Sequence, residues 1–127
     1  MDEPIHVAVC DDARAVKSLL RHILEEDGDM QVVSSTSTGR AAVDDLGRHH
    51  PDALLLDLLL PDVPDTGELV RELRRQSPGT AIVLISNMPP FRLQEEADRV
   101  GADGWLMKAN KPEDLREAIR QVVAESR

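Results

Sequence analysis

Five polar residues stand where apolar runs of this chain stop. Asp11 and Asp12 follow the run Ile5–Cys10, Asp57 lies at the end of the run 53–58, Ser86 closes Ala81–Ser86, and Lys108 comes directly after Gly104–Met107. If these runs are parallel strands of one sheet, three carboxylates, a hydroxyl and an ammonium converge on a single edge. Two carboxylates about 4 Å apart repel by roughly 4 kcal/mol at an effective dielectric of about 20, so a trio must raise its own pKa values or recruit a cation. A hard divalent ion answers this, and magnesium suits best, because it takes a few carboxylate or carbonyl oxygens and accepts phosphate oxygens beside its waters. With magnesium and Lys108 neutralising charge, an aspartate oxygen can attack a phosphoryl group. Asp57 is the preferred nucleophile, since it follows the most apolar strand. Asp11 and Asp12 are adjacent and better placed to grip a metal.

The elements that must position these residues follow from periodicity. Besides the four runs above, 31–36 reads as a strand. Val16, Leu19, Leu20, Ile23 and Leu24 follow one face of a helix, as do Leu115, Ala118, Ile119, Val122 and Val123. Pro112 takes a first-turn position of that last helix, and Glu113 and Asp114 complement its dipole. Shorter helices are predicted from Gly39 to about residue 48 after Thr38, from Asp65 or Thr66 with a capping-box-like Glu68, and after Pro89 and Pro90. In the helix after Pro90 only Phe91, Leu93, Ala97 and Val100 are apolar, so it is expected to be the least firmly anchored. Alternating strands and helices imply parallel strands with right-handed crossovers, and the runs Leu54-Leu55-Leu56 and Ile82-Val83-Leu84-Ile85 suit strands covered on both faces. The expected architecture is a three-layer α/β/α sandwich forming one domain over 1–127, with ligands bound at the carboxyl edge of the sheet.

Composition narrows the function. The chain has 127 residues, of which 41% are hydrophobic, enough for one core. A formal charge of −9 argues against direct nucleic-acid binding, and one Trp, one Phe and no Tyr leave no stacking platform. No apolar run is long enough to span a membrane, the start Met1-Asp2-Glu3 is acidic where a secretory signal is basic, and the single cysteine, Cys10, has no internal partner. A cytoplasmic location is expected.

The pattern resembles the response-regulator receiver family of two-component signalling across essentially the whole chain. The resemblance rests on the acidic pair in Val-Cys-Asp-Asp, the segment from Asp57 through Leu-Leu-Leu to Pro61, Ser86 after Ile-Val-Leu-Ile, and Gly-Ala-Asp-Gly-Trp-Leu-Met-Lys from Gly101 to Lys108. It implies a flavodoxin-like five-stranded sheet of order 2-1-3-4-5. It further implies Asp57 as phosphoacceptor, Mg2+ held by Asp12 directly, by Asp11 mainly through water and by the Leu59 carbonyl, and Ser86 and Lys108 on the phosphoryl oxygens. Trp105 matches an aromatic position that moves inward as Ser86 shifts. The implied donor is a phosphohistidine on a sensor histidine kinase or phosphotransfer protein. An output domain or a homodimer would use the fourth helix, fifth strand and fifth helix. The segment from Lys108 to Leu115 is similar to the end of receivers that precede LuxR-type DNA-binding domains.

The chain departs from the family pattern in four places. The segment 61–66, Pro-Asp-Val-Pro-Asp-Thr, is about two residues longer than usual, Asn87 stands where a small residue is favoured, and Ala109 replaces a proline. Met88 and Leu59 are apolar and offer no side chain to orient an attacking water. Each residue also has a plainer reading: Asp12 as a helix cap, Ser86 as a strand-end hydroxyl, Lys108 as a surface charge, Trp105 and Cys10 as core, His49 and His50 as a helix end, and Arg71, Arg74 and Arg75 as a solvated face. A phosphohydrolase of the haloacid dehalogenase type needs a second aspartate where Leu59 stands. A phosphorylation-independent receiver that acts only as a protein-interaction module is the remaining alternative.

Overall fold

The structure, a computed structural model, describes residues 3–126; Met1, Asp2 and Arg127, included in the domain by the sequence reading, lie outside them. Five parallel strands alternate with five helices: β1 Ile5–Cys10, α1 Arg14–Glu25, β2 Met30–Thr36, α2 Gly39–His49, β3 Ala53–Asp57, α3 Thr66–Gln76, β4 Ala81–Ser86, α4 Pro90–Val100, β5 Gly104–Met107 and α5 Pro112–Ser126. The sheet order is β2-β1-β3-β4-β5, the flavodoxin-like order expected. β2 begins one residue earlier than 31–36 and β3 ends at Asp57 rather than at Leu58.

Strand alternation distributes the apolar side chains between two cores. Val7, Val9, Leu55, Val83 and Ile85 face one side, where Leu20 and Leu24 of α1 and Leu115, Ile119, Val122 and Val123 of α5 cover them. Ala8, Cys10, Leu54, Leu56, Ile82 and Leu84 face the other, under α2, α3 and α4. Each fully buried Leu or Ile contributes roughly 1.5–3 kcal/mol relative to exposure, so β3 and β4, buried along their whole lengths, form the stiffest part of the sheet. Asp57 and Ser86 end these two strands.

Two apolar residues depart from the helical pattern. Leu19 is 58% exposed and Phe91 67% exposed, because the buried stripes of α1 and α4 are narrower than the apolar spacing suggests. Nor is α4 the least anchored helix by burial: it buries Leu93, Ala97 and Val100, whereas α1 buries Leu20 and Leu24.

The helix starts are capped as the sequence predicts at two places. Thr38 Oγ1 accepts from Ala41 N at 3.1 Å, and Asp65 Oδ1 accepts from Gly67 N at 2.9 Å. The edge strand β2 carries a bulge, since Val7 pairs with Val32 and Ala8 with Ser34. Beside it, two α1 side chains take the peptide groups of Val32: Glu25 Oε2 accepts from Val32 N at 3.0 Å, and Arg21 Nη1 donates to Val32 O at 3.4 Å. On the α5 side, Arg120 bonds Asp29 at 2.7 Å and Asp27 at 2.8 Å, fastening the last helix to the turn before β2.

Candidate functional site

Asp11, Asp12, Asp57, Ser86 and Lys108 all stand at the carboxyl ends of β1, β3, β4 and β5. One carboxylate oxygen from each of Asp11, Asp12 and Asp57 lies within 4.8 Å of the others. Asp11 and Asp57 are buried and Asp12 is exposed, so two acids are fixed by the fold and the third faces outward. Lys108 enters between them: its Nζ is 2.7 Å from Asp11 Oδ2 and 3.5 Å from Asp57 Oδ1. The closer contact is an ion pair without the alignment of a hydrogen bond, which leaves Asp11 Oδ2 a buried oxygen with no directed donor. The other Asp11 oxygen accepts from Ala13 N at 2.9 Å.

Backbone contacts lock the strand ends. Asp11 N donates to Thr36 O at 3.0 Å, and Lys108 N donates to Ser86 O at 2.9 Å, which ties the lysine to the end of β4. The Ser86 hydroxyl accepts from Met88 N at 3.2 Å, so its own proton remains available to an acceptor entering the site. Asp57 Oδ1 accepts from Leu59 N at 3.3 Å.

Burial and neighbouring charge act together on the ionisable groups of the site. Burial raises the Asp57 pKa, Asp11 adds to the rise, and the Leu59 N–H and Lys108 oppose it. For Lys108, burial disfavours the ammonium, yet contacts with Asp11 and Asp57 outweigh it and raise the pKa. The lysine therefore stays charged. Burial likewise pushes the Cys10 thiol up to about 11, in keeping with a core cysteine whose Sγ donates to Thr38 O at 3.3 Å.

Several plainer readings are settled by position. Asp12 does not cap α1, whose N-cap is Ala13 with no side-chain cap bond. His49 does end α2, and His50 adopts the left-handed conformation at its C-cap with φ 45°. Arg74 is not a free cation, since it bonds Gly101 O and Asp103. Trp105 is half-buried, and its Nε1 donates to Gln94 Oε1 at 2.9 Å, bridging β5 to α4. Asn87 is exposed, and Ala109 follows Lys108 through a trans peptide.

One contributor escaped the sequence reading. Asp62, in the loop after β3, caps α2 from outside: its carboxylate accepts from Gly39 N at 3.0 Å and Arg40 N at 3.2 Å. No local signal announces a cap donated from 23 residues away. A cavity of about 850 Å³ lies beside it between α2 and α3, but none of the five site residues lines it, so chemistry rather than volume marks the site.

A doubly wound parallel sheet of order β2-β1-β3-β4-β5 defines the flavodoxin-like class, in which ligands bind at the carboxyl edge of the strands, where the acids and the lysine stand here. Within that class, residues 7–120 match the family model of the response regulator receiver domain, and the chain belongs to that family. It is 30% identical to the nitrate/nitrite response regulator protein NarL of Escherichia coli over 96% of this chain, and 26% identical to the chemotaxis protein CheY of Halobacterium salinarum over 92%. The chain spans 95% of that CheY and 56% of that NarL. It spans only 22% of a protein-glutamate methylesterase/protein-glutamine glutaminase of Rhodospirillum rubrum, to which it is 39% identical over 85 residues. The signal receiver domain of NarL from Mycobacterium tuberculosis superimposes with a TM-score of 0.86 at 27% identity, covering 97% of this chain and 98% of that one. The chain is thus a receiver domain of two-component response regulators, a signalling module. No helix among the described residues is long and apolar enough to cross a membrane.

Receiver domains hold magnesium at an acidic pocket, and the donor set here fits that ion. Three hard carboxylates lie together, one offering a buried oxygen with no directed hydrogen-bond donor.

Proposed function

We propose that this domain is a phosphorylation-dependent switch in which Asp57 accepts a phosphoryl group from a phosphohistidine of a sensor kinase or phosphotransfer protein. The observation that carries this reading is the buried Asp57 carboxylate with Lys108 Nζ 3.5 Å away and two further acids within 4.8 Å. An Asp57 oxygen forms the new P–O bond while the P–N bond to the donor imidazole breaks, and the imidazole leaves with the electron pair. Asp11, Asp12, Asp57 and the Leu59 carbonyl would hold Mg2+, which supplies positive charge against the phosphoryl oxygens. Lys108 offers its ammonium to the same oxygens, and the Ser86 hydroxyl donates its free proton to one of them. Drawing Ser86 inward vacates space at the end of β4, toward which Trp105 turns, altering the face formed by α4, β5 and α5. That face would meet an output domain, a kinase or a second copy.

Incubation with acetyl phosphate and Mg2+, followed by intact mass measurement, tests the proposal. One added phosphoryl group, lost in Asp57→Asn, is expected. An unchanged mass under conditions that phosphorylate other receivers would instead assign the domain to phosphorylation-independent protein binding.

A further inference from the structure

We infer that Asp62 is a positioning residue for the cation site, acting as a clamp that holds the long β3–α3 loop, and with it the Leu59 carbonyl, against the start of α2. This rests on the site reading above. Of the α2 backbone N–H groups that lack helical partners, Gly39 and Arg40 donate to the Asp62 carboxylate and Ala41 donates to Thr38 Oγ1. An N-terminal helix end binds an acid well, since the unpaired N–H groups and the dipole both favour negative charge. The Gly39 N–H, helped by the Arg40 N–H and opposed by burial, holds the Asp62 carboxyl below the usual carboxylate range. The loop is fitted sterically as well. A Cβ on Gly39 would lie 2.5 Å from Val63 Cγ2, so only glycine admits the half-buried Val63 at that place.

The clamp reaches the site from both ends. Val63 N donates to Leu60 O at 3.2 Å, closing a turn with Asp62 inside it, and Leu60 is the residue after Leu59. On the other side, Thr38 O accepts from Cys10 Sγ, and Thr36 O accepts from the Asp11 N–H. One connected set of bonds therefore runs from the loop bearing Leu59, through the α2 start, to the strand end bearing Asp11. Leu59 itself is 70% exposed, so its side chain contributes little to holding its carbonyl. The added length of the loop is in this way directed onto α2.

Direct hydrogen-bond partners of a metal's ligands commonly change its affinity about 10- to 100-fold. Asp62 touches no ligand and acts through the Leu60–Val63 turn, so Asp62→Ala is expected to weaken Mg2+ binding by less, roughly three- to tenfold. Mg2+ titrations of the whole domain, followed by amide shifts of Asp12, Asp57 and Leu59, compare wild type, Asp62→Ala and Asp62→Asn. Asparagine keeps one acceptor for the α2 N–H groups and should fall between the other two. Gly39→Ala should mimic Asp62→Ala, and adding Val63→Ala should restore affinity in part, since it removes the 2.5 Å clash but leaves Leu69 Cδ1 and Cδ2 at 3.2 Å. Urea unfolding of each variant separates lost stability from lost affinity. If wild type binds Mg2+ and Asp62→Ala binds it equally well, the clamp is refuted while the site reading stands. If wild type itself binds none, the site reading falls, and the clamp with it.

Discussion

Replacing Asp57 with asparagine removes one negative charge from a buried cluster while keeping an oxygen to accept the Leu59 N–H. At an effective dielectric of about 20, Asp57 and Asp11 at the outer limit of 4.8 Å repel by about 3.5 kcal/mol. Lys108 at 3.5 Å returns about 4.7 kcal/mol, and the exposed Asp12 adds about 1 kcal/mol of repulsion through water. Attraction and repulsion nearly cancel. What remains is the cost of an ionised carboxylate that is 4% exposed, only part of which its hydrogen bond recovers. Lys108 loses little, because Asp11 stays 2.7 Å away. Asp57→Asn should therefore stabilise the metal-free domain by about 1–2 kcal/mol at pH 7.5. The pH dependence follows from the raised Asp57 pKa. A carboxylate whose folded pKa exceeds its unfolded value penalises folding fully above the folded pKa, and the penalty vanishes as pH falls toward the unfolded value. The advantage of the variant should then shrink on acidification. Urea unfolding of both proteins in EDTA at pH 7.5 and at pH 4 measures this. A variant less stable than wild type at pH 7.5, or a difference that widens in acid, would refute the reasoning.

Other consequences are open to direct measurement. Asp12→Ala should weaken Mg2+ binding with little change in stability, because Asp12 is exposed, whereas Asp11→Ala should also destabilise the fold by stripping Lys108 of its closest partner; equal urea midpoints for the two variants would contradict this. Beryllofluoride, an imitator of aspartyl phosphate, should change Trp105 fluorescence and amide exchange in α4, β5 and α5. Burying a further 80 Å² or so of indole gives roughly 2 kcal/mol, about twice the worth of the Gln94 bond it breaks, and exchange changes confined to the vicinity of Asp57 would exclude the mechanism. Cys10, buried and with its thiol pushed up to about 11, should react with a chromogenic disulfide at pH 8 only as fast as the domain opens; immediate labelling of the native protein would contradict its burial.

The sheet was legible because β3 and β4 are covered on both faces, so unbroken apolar runs such as 54–56 and 82–85, too short for buried helices, read as strands. The site was legible for a related reason: in a parallel sheet, residues far apart in sequence meet if each ends a strand. What stayed hidden was decided by partners rather than position. Periodicity put Leu19 and Phe91 among the apolar faces, but only the neighbouring elements determine how wide a stripe is covered. The preference of Lys108 for Asp11 over Asp57 depends on side-chain placement that residue order does not encode. The Asp62 cap joins a loop to a helix across a span where no periodic signal operates.

The bonds from α1 to Val32 of β2 bear on how this acidic domain tolerates crowding. An outermost strand with free peptide groups is a template onto which a neighbouring chain can add, and such addition propagates into aggregates. Here both peptide groups of Val32 are already taken by Arg21 and Glu25, one helical turn apart, and the bulge beside Val33 breaks the register a newcomer would need. Colloidal solubility is thus defended on this flank by two side chains that also belong to the helix. Losing either side chain would reopen a Val32 peptide group to a neighbouring strand.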